Sequence, residues 1–225
     1  MNYFAHGCRY VDRPYFLAGT ACPDWLSAVD RKVRLRARNV GPFIEGPDEL
    51  RSEIAAGVSR HLEDDDWFHG SRAFAETTGH IAVLFRKHLG PDDGFRPGFL
   101  GHIAMELLLD AVLISRNPGL LDRYYEAVSS VEPDIVESAV NAMCPRSTEN
   151  LSKLIPKFVE VRFLADYVHP ERLMYRVNQV LKRVGLPVLD QGATAVFEAA
   201  LPIVESQSAL LLPPDRFSKA LVEAA

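Results

Sequence analysis

Cysteine is scarce in this 225-residue chain: Cys8, Cys22 and Cys144 are the only three, and no two are spaced Cys-x-x-Cys. That excludes a disulfide framework and a thiolate zinc site, and it fits a reducing compartment. An excess of positive charge is lacking too. The 25 Lys and Arg stand against 30 Asp and Glu, a formal net charge of -5, which argues against bulk nucleic-acid binding though not against a local basic patch. The opening MNYFAHGCRY has no apolar core of the kind a secretory signal needs. No uninterrupted apolar run reaches the ~18 residues of a bilayer span. The longest candidate, GFLGHIAMELLLDAVLI, is broken by His102, Glu106 and Asp110. These absences lead us to expect a cytoplasmic protein without a membrane span, long enough to bury a real core.

What is present is helical periodicity. PDELRSEIAAGVSRHLEDDDWF opens on Pro47 and an acidic first turn, both favourable at a helix N-terminus. Ile54, Val58, His61, Leu62 and Asp65 then recur at helical spacing, and Gly70 ends or bends the helix. SRAFAETTGHIAVLFRKHLG follows, with Ser71 as cap and Gly90 as stop. Pro97 and Gly98 open GFLGHIAMELLLDAVLISR, which ends before Asn117-Pro118. Further helices are expected around residues 118–130, 132–142, 148–166, 170–184 and 190–207, with a short one at 214–223, separated by turn signals such as EPD, CPRS, HPE and GLP. Residues 30–47 read as the one long loop. The expected fold is all-α: a single compact helical bundle over residues 1–225, with a metal-site half at 1–115 and a helical C-terminal half at 116–225.

The segment RHLEDDDWFHG raises the functional question. His61, Asp65 and His69 stand at i, i+4 and i+8, and each step of four drifts only about 40° around a helix axis. The three share a stripe, whereas Glu63, Asp64 and Asp66 are expected to face water. His61 and Asp65 continue the apolar stripe of Ile54 and Val58. A buried carboxylate beside imidazoles costs several kcal/mol unless it is compensated, and a bound cation compensates it. His–Asp hydrogen bonding at a partly wet helix end is the alternative.

GHIAMELLLD repeats the pattern: His102 and Glu106 are again i and i+4, amid Ile103, Ala104 and Leu107. A His and a carboxylate on one helix face can present two ligands to one metal. Asp110, one step further, reads as a ligand, as an acceptor for a ligand's N–H, or as a surface residue. His6, in apolar NYFAHG, and Asp24, in AGTACPDWL, complete the candidate set. The small residues before Asp24 permit close backbone packing.

The other histidines have plainer readings. His80 pairs with Glu76 on a surface, His88 sits where a helix C-terminus favours a cation, and His169 lies in a loop or before a helix. Asp166 faces solvent, and Cys8 and Cys22 are small core residues. RKVRLRARNV, residues 31–40, breaks the helical pattern. In an extended conformation Arg34, Arg36 and Arg38 share one face, with Val33, Leu35 and Ala37 on the other. Arginines on one face can bind phosphate bidentately; a solvated edge is the alternative.

MNYFAH followed by GTACPDWL resembles the opening of bacterial acyl carrier protein phosphodiesterases. AAGVSRHLEDDDWFH with GFLGHIAMELLLD resembles the zinc-dependent phospholipase C group, and both are similar to HD-type metallo-phosphohydrolases. The resemblance covers roughly residues 1–115; the His-Asp doublet that names the HD group is absent, and no matching motif follows in the second half. It implies an all-α fold with His6, Asp24, His61, Asp65, His69, His102 and Glu106 around one or two divalent ions. Imidazole and carboxylate ligands suit Zn, Fe or Mn. The implied activity is hydrolysis of a phosphoester, small or carrier-linked, by metal-activated water, with Asp65 or Glu106 as general base and Arg34, Arg36 or Arg38 on the phosphate. The alternatives are a saturated metal stapling helices in a partner-binding protein, and a metal-free helical module.

Overall fold

The computed structural model describes residues 1–90 and 96–223, and among them every regular element is helical. In chain order the α-helices are α1 (Tyr3–Gly7), α2 (Pro14–Val29), α3 (Ala37–Val40), α4 (Glu49–His69), α5 (Arg72–Leu89), α6 (Arg96–Arg116), α7 (Leu120–Ser129), α8 (Pro133–Met143), α9 (Leu151–Val161), α10 (Pro170–Arg183), α11 (Thr194–Leu211) and α12 (Lys219–Val222). The protein is all-α, as the periodicity implies.

Helix ends follow local chemistry. The Asp48 carboxylate accepts from the Arg51 backbone N–H at 3.1 Å and opens α4. Ser71 accepts from Phe74 N–H at 3.1 Å and starts α5 directly after α4 stops at His69. Gly90, at φ +92°, closes α5 in a conformation that side-chain-bearing residues avoid. The expected helix at 148–166 is instead two elements. Arg162 takes a left-handed φ of 48°, ending α9, and a 3-10 turn covers Phe163–Val168. Arg162 lies 4.6 Å over the Tyr125 ring and pairs with Asp122, contacts that hold the chain out of helix there. The loop expected at 30–47 contains α3 and a 3-10 turn at Gly41–Phe43.

The chain divides into two compact units, residues 1–67 with 119–162, and residues 68–118 with 163–225. Each draws on chain from both sides of residue 115. In the first unit α2 is the central element. Its residues from Phe16 to Cys22 are buried without a break, as are Trp25 and Leu26, and α1, α7, α8 and α9 pack against it. Phe158 gathers Trp25, Tyr124 and Tyr125 around itself at ring separations of 5.3 to 6.4 Å. Helices α2 and α4 touch backbone to backbone at Gly19 and Gly57. A Cβ on Gly19 would collide with the Ile54 carbonyl oxygen, and one on Gly57 with that of Phe16.

In the second unit α5 packs along α6, and α11 lies against both, with Phe85 meeting Phe197 edge to face at 5.5 Å. By length and composition alone α6 could cross a membrane, with mean hydropathy 1.6 over its 18-residue window; 61% of that window is buried within the protein.

The Gly19–Gly57 crossing is a rigid contact, because the obstructing atoms are backbone. Gly57→Ala is therefore expected to destabilise the protein by about 1–3 kcal/mol or more, despite alanine's better helix propensity. Urea unfolding measures this; an unchanged or raised midpoint would show the crossing can relax.

Candidate metal centres

The structure gathers six of the seven candidate ligands into two groups of three, His6 with His61 and Asp65, and His69 with His102 and Glu106. In each group one nitrogen or oxygen from every residue lies within 4.8 Å of the others. Each triad belongs wholly to one unit: the first to residues 1–67 with 119–162, the second to residues 68–118 with 163–225.

The first triad is buried. His6, on α1, is fully enclosed; His61 and Asp65, one turn apart on α4, have side chains 4% and 33% exposed. The two imidazoles stack with centroids 3.9 Å apart and planes at 22°. Both direct Nε2 at the same carboxylate, His6 at 3.2 Å from Asp65 Oδ1 and His61 at 3.5 Å from Oδ2. Behind His61, Nδ1 lies 2.8 Å from the Thr20 carbonyl oxygen. A carbonyl can only accept, so Nδ1 carries a proton and donates; in the neutral ring Nε2 then keeps its lone pair. That is the arrangement of a metal-ligating histidine. His6 has neither ring nitrogen in a hydrogen bond of acceptable geometry, although both are buried; buried polar atoms of this kind call for an explanation. The Met1 amino group donates to Asp65 Oδ1 at 2.8 Å.

Asp64 departs from the expectation of a solvent-facing residue. Expected in water, it is fully buried, while its neighbours Glu63 and Asp66 are exposed. Arg9 donates to Oδ2 at 2.6 Å, and Arg60 and the Trp67 indole donate to Oδ1 at 2.6 and 3.0 Å. Burial opposes its ionisation, but His6, Arg9 and Arg60 outweigh burial and hold its carboxyl below the usual carboxylate range. Asp65 is likewise lowered. Burial again opposes ionisation, and His6, His61 and the amino group overcome it. The sequence holds one signal for Asp64, Arg60 four residues before it on the same helix; the approach of Arg9 from another element exists only in three dimensions.

The second triad is more open. His69 closes α4; His102 and Glu106 are one turn apart on α6. Their side chains are 34%, 44% and 14% exposed. Both imidazoles bring Nε2 to Glu106 Oε1, His69 at 2.8 Å and His102 at 3.1 Å. Phe74 stands perpendicular to both rings, 4.8 Å from His69 and 5.0 Å from His102, and limits their rotation. The cap at Ser71 sets where Phe74 lies.

The remaining candidates lie elsewhere. Asp24, on α2, is half-buried and joins neither triad. Asp110, one turn past Glu106, is fully buried and so is not a surface residue; it also joins neither. Val33 and Leu35 are buried while Arg34 and Arg36 are exposed, so the alternation holds to residue 36. It fails at Ala37, which is exposed where α3 begins. Among the described contacts none joins Arg34, Arg36 or Arg38 to either triad; Arg34 donates to the Arg31 carbonyl at 3.4 Å. Glu76 pairs with Arg72 at 2.7 Å, not with His80, and Asp166 with Arg176 at 2.6 Å, not with solvent. Cys8 and Cys22 are buried free thiols, as expected.

Asp64→Asn leaves Arg9 and Arg60 without their counter-charge. Breaking a buried pair costs about 3–5 kcal/mol, and the partial exposure of both guanidiniums brings the expectation to about 2–4 kcal/mol. Because the folded-state pKa of Asp64 is lowered, its contribution is present in full above the unfolded value of ~3.9 and is lost as pH falls through the folded value. Urea unfolding at pH 7 and 5 should therefore give the same deficit, which narrows only below about pH 4. A deficit already shrinking between pH 7 and 5 would contradict this.

Compared with known proteins, the chain matches no family model, no characterised protein and no solved structure.

Proposed function

We propose that the protein is a metal-dependent hydrolase of phosphoesters, acting on a small or carrier-linked substrate. The observation that carries the reading is the buried His6–His61–Asp65 triad, with the His61 tautomer set by the Thr20 carbonyl. The reaction class is taken from the resemblance of MNYFAH, GTACPDWL and AAGVSRHLEDDDWFH to metallo-phosphoesterases.

Two imidazoles and a carboxylate suit Zn, Fe or Mn. Three protein ligands are the number found in catalytic zinc sites, where a fourth position takes water. His6, His61 and Asp65 would hold one ion, and His69, His102 and Glu106 a second. A bound ion of this kind lowers the pKa of its water to ~7 and stabilises charge on phosphoryl oxygens. The chain's own part is to fix the donors. Thr20 orients His61, Phe74 limits the rings of His69 and His102, and Asp65, the most exposed member of the first triad, keeps its charge beside both imidazoles. Glu106, in contact with both imidazoles, is the candidate base if it does not ligate. The near-complete burial of His6 and His61 also favours a second reading, a structural ion that staples α1 to α4.

The test is metal analysis of protein purified without chelator or nickel resin, paired with hydrolysis of bis(p-nitrophenyl) phosphate. We expect at least one transition-metal ion per chain, lost in His61→Ala. Activity should fall at least ~100-fold, the upper end of the loss on removing a group that merely supports a ligand. Bound metal without hydrolysis of any phosphoester would favour the structural ion. Absence of metal, with no thermal stabilisation by Zn, Mn or Fe, would end both readings.

A further inference from the structure

The two buried imidazoles of the first triad are arranged in parallel, but only one has an obvious support. His61 has the Thr20 carbonyl behind Nδ1 at 2.8 Å and faces Asp65 with Nε2. His6 also faces Asp65 with Nε2, and behind its Nδ1, at 3.9 Å, stands Asp64 Oδ2. Both His6 and Asp64 are fully enclosed. We propose that Asp64 is the positioning residue for His6, performing for that imidazole what the Thr20 carbonyl performs for His61.

Asp64 is suited to the role by what holds it. Its Oδ1 receives Arg60 and Trp67, and its Oδ2 receives Arg9, all between 2.6 and 3.0 Å. With both oxygens engaged, the carboxylate is fixed and unavailable to swing inward as a ligand itself. Its negative charge nevertheless remains next to Nδ1. A separation of 3.9 Å is longer than a hydrogen bond, so the coupling is electrostatic. Asp65 Oδ1, nearer at 3.2 Å, would draw the proton to Nε2 in the metal-free ring; with a cation on that side, Asp64 is the carboxylate left to favour the proton on Nδ1 and the lone pair on Nε2.

This inference rests on the metal reading, for the tautomer as for affinity. The first experiment is therefore two-bond ¹⁵N–¹H correlation of the wild-type histidines with Zn bound. His6 is expected to ligate through Nε2 with the proton on Nδ1; ligation through Nδ1 overturns the proposal and leaves the metal reading standing. The second is a cycle of Co(II) affinities by chelator competition for the wild type, Asp64→Asn, His6→Ala and the double variant. Loss of a partner that orients a ligand typically costs 10–100-fold in affinity. We expect that loss for Asp64→Asn in the wild-type background and less than about 2-fold once His6 is alanine. Equal losses in both backgrounds would mean that Asp64 only supports the fold, and would overturn the positioning role. Wild-type protein that binds neither Zn nor Co(II) would overturn the metal reading, and this inference with it.

Discussion

Two consecutive carboxylates on one helix, Asp64 and Asp65, are held ionised in surroundings that oppose their charge. Burial of that kind is costly unless each charge meets compensating groups. Much of the first unit can be understood as supplying them. Adjacent helical positions point about 100° apart, so the two side chains meet different neighbours. Asp64 meets Arg9, Arg60 and the Trp67 indole, while Asp65 meets the two imidazoles and the Met1 amino group. One carboxylate anchors structure, and the other is left facing two nitrogens.

That separation depends on how closely α2 approaches α4. Gly19 and Gly57 let the backbones touch, and the next residue along α2, Thr20, then presents its carbonyl to His61. A larger residue at either glycine would push the helices apart and withdraw that carbonyl. Close packing and the chemistry of the site are thus one constraint. The second triad uses different means to the same end: an aromatic ring wedged by a helix cap, and one carboxylate oxygen shared by two imidazoles.

The sequence shows this design unevenly. His61 with Asp65, and His102 with Glu106, are legible because i,i+4 spacing survives from sequence to helix face. The helix ends at Asp48, Ser71 and Gly90 are legible because caps and stops are local. Asp64 is only partly legible: Arg60 precedes it by four on the same helix, but Arg9 lies on a separate element and only the fold brings it there. α2 escapes a periodicity search because nearly all its faces are covered. Asp24 follows a run of small residues, and one of them, Gly19, serves the contact with α4 instead.

The most direct test of a metal in the buried triad is X-ray absorption on the protein loaded with one equivalent of Zn or Co. The account predicts a first shell of nitrogen and oxygen at ~2.0–2.1 Å, with the outer-shell scattering of two imidazoles that disappears when His6 and His61 are replaced. An oxygen-only shell without imidazole scattering would mean a surface-bound hydrated ion, and would contradict it.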